Sequence, residues 1–122
     1  MPDVLVIDDD EIIRDMLRET LEMEGFSARE AANGDIAIKE LKRTGFSLVI
    51  TDIIMPEKEG LETIRYLKKE MPDVQVIAIS GGGQGSADFY CEMALGLGAR
   101  YAFTKPLKMD ELIAAVKKCL GK

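Results

Sequence analysis

Five short runs that read as strands, at 3–7, 26–30, 48–50, 74–79 and 100–103, each lead into a stretch whose apolar residues recur at helical spacing. No other feature restricts the fold of this chain as much. A parallel strand can reach its neighbour only through a crossover, and the usual crossover is a helix. Strict alternation of strand and helix therefore builds a parallel sheet with helices on both faces. The runs at 48–50 and 74–79 are apolar enough to be buried on both sides, whereas 26–30 is weaker and suits an edge. The helical patterns are Ile12, Ile13, Met16, Leu17, Thr20 and Leu21; Ala37, Ile38 and Leu41; Leu61, Ile64 and Leu67; Phe89, Tyr90, Met93 and Ala94; and Leu112, Ile113, Val116 and Leu120. Gly25, Gly45 and the pair Gly96 and Gly98 end helices, Asn33-Gly34 reads as a turn, and Pro72 stops the third helix. With 122 residues, 47% of them hydrophobic, the chain makes one domain, residues 1–122, of the α/β class.

Residue types remove several functions. A net charge of −6 argues against direct nucleic-acid binding. No apolar run reaches membrane-spanning length, and Met1-Pro2-Asp3 lacks the basic start of a signal peptide. Cys91 and Cys119 are far apart, with no metal-binding spacing, and fit free thiols in a reducing cytoplasm. There is no histidine, so no histidine of this chain serves as base, nucleophile or ligand.

In doubly wound sheets ligands bind beyond the carboxyl ends of the strands. Four such ends here carry polar residues: Asp8-Asp9-Asp10-Glu11, Asp52, Ser80 and Lys105-Pro106. Each has an ordinary explanation. Asp10 and Glu11 suit a helix cap and first turn. Asp52 and Ser80 suit turns, and Lys105 can simply be solvated. The glycine loop Gly81-Gly82-Gly83-Gln84-Gly85 fits neither the dinucleotide fingerprint nor the P-loop. Three consecutive aspartates repel one another, however, and a hard divalent cation relieves that repulsion.

Together the four ends are specific. The chain resembles the receiver domain of two-component response regulators along essentially its whole length. The resemblance rests on Asp8-Asp9, Asp52 followed by Met55-Pro56 and Gly60, Ser80, Gly98-Ala99 and Lys105-Pro106. It implies a flavodoxin-like sheet of strand order 2-1-3-4-5. It implies that Asp52 accepts a phosphoryl group from a sensor histidine kinase or histidine phosphotransfer protein. Asp8, Asp9, Asp52 and the backbone carbonyl of Ile54 would hold Mg²⁺. Ser80 and Lys105 would bond the phosphoryl group, and the Lys105–Pro106 peptide would be cis. The domain would be cytoplasmic, would catalyse only its own phosphorylation and dephosphorylation, and would signal to an output domain or partner protein.

Two features depart from the family pattern. Ala102 stands where receivers commonly carry an aromatic switch residue, and 25 positions separate Ser80 from Lys105. The expected switch is therefore Ser80 with Gly81, Gly82 and Gly83, whose ordering would carry the signal into the fourth helix. One alternative is a haloacid-dehalogenase-like Mg²⁺-dependent phosphatase with Asp8 as nucleophile, since Asp8-x-Asp10 copies part of that family's motif. Another is a nucleotide- or flavin-binding module that uses the glycine loop.

Overall fold

The computed structural model describes residues 3–53, 59–81 and 86–121. Five strands alternate with five helices: β1 (Val4–Ile7), α1 (Glu11–Met23), β2 (Ala28–Ala31), α2 (Gly34–Arg43), β3 (Leu48–Asp52), α3 (Glu59–Glu70), β4 (Gln75–Ser80), α4 (Ser86–Leu97), β5 (Tyr101–Thr104) and α5 (Met109–Leu120). All strand pairs are parallel and the order is β2-β1-β3-β4-β5. The expected doubly wound sheet is the one found.

The pleat explains the two-sided core. Leu5, Ile7, Val49, Val76 and Ala78 point to one face, against Ala37 and Leu41 of α2, Leu61, Ile64 and Leu67 of α3, and Ala94 of α4. Val4, Val6, Leu48, Ile50, Ile77 and Ile79 point to the other, against Leu17 and Leu21 of α1 and Leu112, Ile113 and Val116 of α5. Alternate residues of one strand thus feed both layers, and β3 is buried at every position. Its last residue is Asp52, which places a carboxylate at the centre of the sheet's carboxyl edge.

Several local expectations need correction. The second strand starts at Ala28, two residues later than the apolar pattern suggests. Phe26 instead closes a Schellman motif on α1: Gly25 has φ +92°, its N–H donates to Glu22, and the Phe26 N–H donates to Leu21. Phe26 then packs into the same core layer as Leu21. A second motif of this type ends α4, where Gly98 has φ +117° and the Ala99 N–H donates to Ala94. Asn33-Gly34 is a helix start rather than a free turn, for Asn33 caps α2 by accepting the Ile36 N–H at 2.9 Å.

Two helices face differently from their patterns. In α4, Phe89 and Met93 are exposed, and Ala94 alone of the expected face is buried. The helix is apolar on nearly every side, so periodicity does not single out its inner face. In α1, Ile12 is 80% exposed and Met16 also lies outward.

Gly60 fixes α3 against the sheet. A Cβ there would stand 2.4 Å from both the Asp52 carbonyl oxygen and the Ile53 Cα. Only a hydrogen fits between the helix start and the strand end. Gly60→Ala is expected to cost about 1–3 kcal/mol, the range of overpacking in a close contact. Urea unfolding measures this. A variant as stable as wild type, with unchanged amide shifts at Asp52 and Ile53, would show that the approach is looser than described.

Candidate functional site

The parallel sheet brings the carboxyl ends of four strands together. Asp8 follows β1, Asp52 ends β3, Ser80 ends β4, and Lys105 follows β5. Asp8 and Asp52 are almost fully buried, at 1% and 4% exposure, while Asp9 is exposed. Carboxylate oxygens of Asp8, Asp9 and Asp52 lie within 4.8 Å of one another. The Lys105 ammonium donates to Asp52 Oδ2 at 3.0 Å and stands 3.7 Å from Asp8 Oδ2.

Backbone bonds position these groups. The Asp8 N–H donates to the Ala31 carbonyl, and Asp8 Oδ1 accepts the Asp10 N–H at 2.8 Å. The Ile53 N–H donates to the Ile79 carbonyl, and the Lys105 N–H to the Ser80 carbonyl. The Lys105–Pro106 peptide is cis. Gly81 leaves room for the lysine stem, since a Cβ there would come within 3.2 Å of Lys105 Cδ.

The electrostatics follow from burial and crowding. Burial pushes the Asp8 carboxyl up from 3.8 to about 6. The Asp10 amide works against this, and negative Asp52 adds to it. For Lys105, burial acts to lower the pKa, but the Asp52 and Asp8 carboxylates outweigh it and hold the ammonium above its ordinary value. A cationic lysine is therefore fixed at the mouth of the site. Asp8 Oδ2 and Ser80 Oγ are buried, with no hydrogen-bond partner among the described residues. Such groups cost stability when left unmatched. Asp8 belongs to a cluster of three carboxylates close enough to share a hard cation, so the residues fit a divalent ion, and Ser80 ends the strand beside Asp52.

The family model described as "Response regulator receiver domain" matches residues 4–117. The chain belongs to the response regulator receiver family. This receiver domain is 34% identical over 120 residues to a "Transcriptional regulatory protein CpxR homolog" of Haemophilus influenzae, covering 98% of this chain and 51% of the relative. It is 36% identical over 118 residues to a "Putative response regulator NtrX-like" of Rickettsia typhi, covering 95% of this chain and 24% of the relative. The chain thus spans about half and about a quarter of these curated relatives. The crystal structure of the NtrX receiver domain from Brucella abortus superposes with a TM-score of 0.89 at 32% identity, covering 98% of this chain and 99% of that one.

The receiver is a signalling domain of two-component systems, and the phosphatase alternative gains no support. Asp10, the second acid of that alternative's motif, serves here as a cap: its Oδ1 accepts the Ile12 N–H of α1 at 2.9 Å. Of the residues singled out in the sequence, the fold brings Asp8, Asp9, Asp52 and Lys105 together and puts Ser80 at the adjoining strand end. Ala102 lies half-buried on β5, paired with Ala78. The Ile54 carbonyl, Met55-Pro56, Gly82 and Gly83 lie outside the described residues.

Sequence reading missed Arg14 and Glu30. Arg14 Nη1 donates to the Asp8 carbonyl at 2.8 Å, and its Nε donates to Glu30 on β2 at 2.9 Å. A cue was present: Arg14 and Arg18 are four apart on α1, so both face the same way, and Glu30 is a charge on a strand beside that helix.

Proposed function

We propose that Asp52 accepts a phosphoryl group in a Mg²⁺-dependent reaction from the phosphohistidine of a sensor kinase or phosphotransfer protein. The observation that carries this reading is Asp52 itself. It is a carboxylate at the centre of the sheet's carboxyl edge, within 4.8 Å of two more carboxylates and 3.0 Å from a cationic lysine. One oxygen of Asp52 would attack phosphorus in line, while the bond from phosphorus to the donor's nitrogen breaks and the imidazole leaves with the electron pair. Asp8, Asp9 and Asp52, with the Ile54 carbonyl, would hold the cation, which when bound neutralises phosphoryl oxygens. Lys105 would meet one of those oxygens as a compact positive charge. Ser80 Oγ–H would donate to another, and so acquire the partner it lacks among the described residues.

The donor protein has a surface to meet. Beside Lys105 lies a groove of about 330 Å³, lined by Ile13, Met16, Pro106, Leu107 and Met109. Ile12, in the first turn of α1, is a further apolar side chain left 80% exposed. Apolar side chains around a buried charge can exclude water from a docked phosphohistidine. The domain's own catalysis is confined to gaining and losing this phosphoryl group. The signal then leaves through Ser80, Gly81 and the following loop towards α4, since Ala102 has no rotamer to switch. Its recipient is an output domain or partner protein.

The direct test is incubation with acetyl phosphate and Mg²⁺, followed by mass spectrometry with borohydride trapping. One phosphoryl group per chain, mapped to Asp52 and absent with EDTA, is the expected result. Labelling at any other residue, or labelling indifferent to EDTA, refutes the assignment. Lys105→Ala should keep the fold, because the side chain is partly exposed and outside both core layers. It should still accept the phosphoryl group, slowly, but lose the amide shift changes that phosphorylation causes along β4 and β5. If those changes match wild type, Lys105 does not couple the phosphoryl group to the sheet.

A further inference from the structure

We infer that Arg14 is a positioning residue for the cation site, holding the peptide that joins Asp8 to Asp9 through the Asp8 carbonyl. The inference rests on the assignment of Asp8, Asp9 and Asp52 as cation ligands.

The reason starts with the end of β1. Ile7 is the last residue of that strand, paired with Ala31 and Thr51. The Asp8 N–H still reaches the Ala31 carbonyl, but the chain then leaves the sheet and turns into α1. The Asp8 carbonyl has no ladder left to join. A buried carbonyl without a partner is costly, and the peptide bearing it is free to rotate.

Arg14 supplies the missing donor. It sits one turn beyond the cap residue Asp10, and its Nη1 donates to the Asp8 carbonyl at 2.8 Å. Its Nε is fixed in turn by Glu30 Oε1 at 2.9 Å. The planar guanidinium thus joins the β1–α1 turn to β2, and a single ammonium has no comparable fork. Arg14 is only 15% exposed and Glu30 19%, so solvent competes weakly for either bond. The other oxygen of Glu30 binds Arg18 at 2.5 Å, an ion pair that does not touch Asp8.

Fixing this carbonyl matters because its peptide carries both acidic residues. Rotation about the bonds beside it would swing Asp9 relative to Asp8. Mg²⁺ demands near-octahedral oxygen placement and tolerates such drift poorly. Asp8 is then held at three points: its N–H by Ala31, its Oδ1 by the Asp10 amide, and its carbonyl by Arg14. Only Oδ2 is left towards the site. Arg14 acts by geometry, for its charge is matched by Glu30 and it touches no ligand carboxylate.

The test compares Mg²⁺ affinity in wild type, Arg14→Met and Arg18→Ala, from amide shifts of residues 8–10 during titration. Arg14→Met keeps an unbranched side chain and loses both donors. It should bind Mg²⁺ about tenfold more weakly, the lower end of what losing a group behind a ligand costs. Arg18→Ala removes the outer ion pairs to Glu30 and Glu22, neither of which touches Asp8, and should stay within about twofold of wild type. Labelling of Asp52 should be slow in Arg14→Met at low Mg²⁺ and reach the wild-type rate at saturation. A wild-type Mg²⁺ affinity in Arg14→Met overturns the inference, as does equal weakening by Arg18→Ala. So does a labelling defect that saturating Mg²⁺ leaves in place. If Arg14→Met does not fold, the Arg14 guanidinium resonances of the wild type decide. They must move with Mg²⁺ on the isotherm of the Asp8 amide, and resonances that stay still overturn the role. Wild type that binds Mg²⁺ at residues 8–10 but never labels Asp52 would refute the phosphoacceptor reading alone.

Discussion

Asp52→Ala should abolish phosphate incorporation from a small phosphodonor, lowering the rate by a factor of about 10⁴ or more, the scale of losing a nucleophile. The expected loss is that large because no other described group is placed to replace it. Asp8 is spoken for through its N–H, Oδ1 and carbonyl, and only its Oδ2 faces Lys105. Asp9 is exposed, and its carboxylate belongs with those of Asp8 and Asp52 to the set that would hold the cation. Alanine removes the nucleophilic oxygen while leaving β3 paired through the Ile53 N–H, so the fold should persist. The measurement is intact-mass analysis after incubation with acetyl phosphate and Mg²⁺, with the amide spectrum as a check on folding. Stoichiometric phosphate on a folded Asp52→Ala chain would mean that the nucleophile is elsewhere.

The second large effect concerns Asp8 and runs opposite in sign for stability and for binding. Its folded carboxyl titrates near 6 against an ordinary 3.8, chiefly because it is buried. The folded chain therefore holds the proton more tightly than the unfolded chain. Stability from this group is fully present below pH 3.8 and is lost as pH rises through about 6. At neutral pH without Mg²⁺ the ionised side chain costs up to about 3 kcal/mol, from roughly 1.4 kcal/mol per pKa unit. Asp8→Asn keeps an oxygen for the Asp10 amide and removes the charge. Without Mg²⁺ the variant should be about 1–3 kcal/mol more stable than wild type at pH 7.5, and the gap should shrink towards pH 4. Adding Mg²⁺ should stabilise wild type by mass action and leave the variant almost unmoved. Urea melts at the two pH values, with EDTA or Mg²⁺, measure all four quantities. The reading fails if the variant is the less stable protein at pH 7.5 in EDTA. It fails equally if Mg²⁺ stabilises both chains alike.

These effects involve residues that a single sequence exposes well. Asp8, Asp52, Ser80 and Lys105 are far apart in the chain but all stand at carboxyl ends of runs that read as strands. In a parallel sheet those ends share one edge. Once the alternation of strand and helix is recognised, their convergence follows without knowledge of side-chain contacts. The Asp10 cap is legible for the same reason, because it depends on residues two and three positions away.

What was not legible depends on contacts between elements. Phe26 looks like the first residue of a strand because it is aromatic, yet Gly25 turns the chain so that Phe26 folds back on Leu21. The outward turn of Phe89 and Met93 could not be read because α4 is apolar nearly all round. Arg14 resembles any other helical arginine until the distance to the Asp8 carbonyl is known. Gly60 reads as a residue opening a helix, and only the position of the Asp52 backbone shows why a side chain is excluded there.

The strand order has a further consequence, for how copies of the domain meet. β2 and β5 are the two edges of the sheet, and each is four residues long. An open edge is a template on which another chain can add a strand, the route to aggregation. Both edges here are guarded. β2 carries Arg29 and Glu30 in its middle, and β5 runs from Arg100 into Lys105-Pro106, where a proline cannot extend the ladder. A visiting strand would gain few backbone bonds and would have to desolvate charge to make them. Fusion of sheets edge to edge between copies is therefore disfavoured.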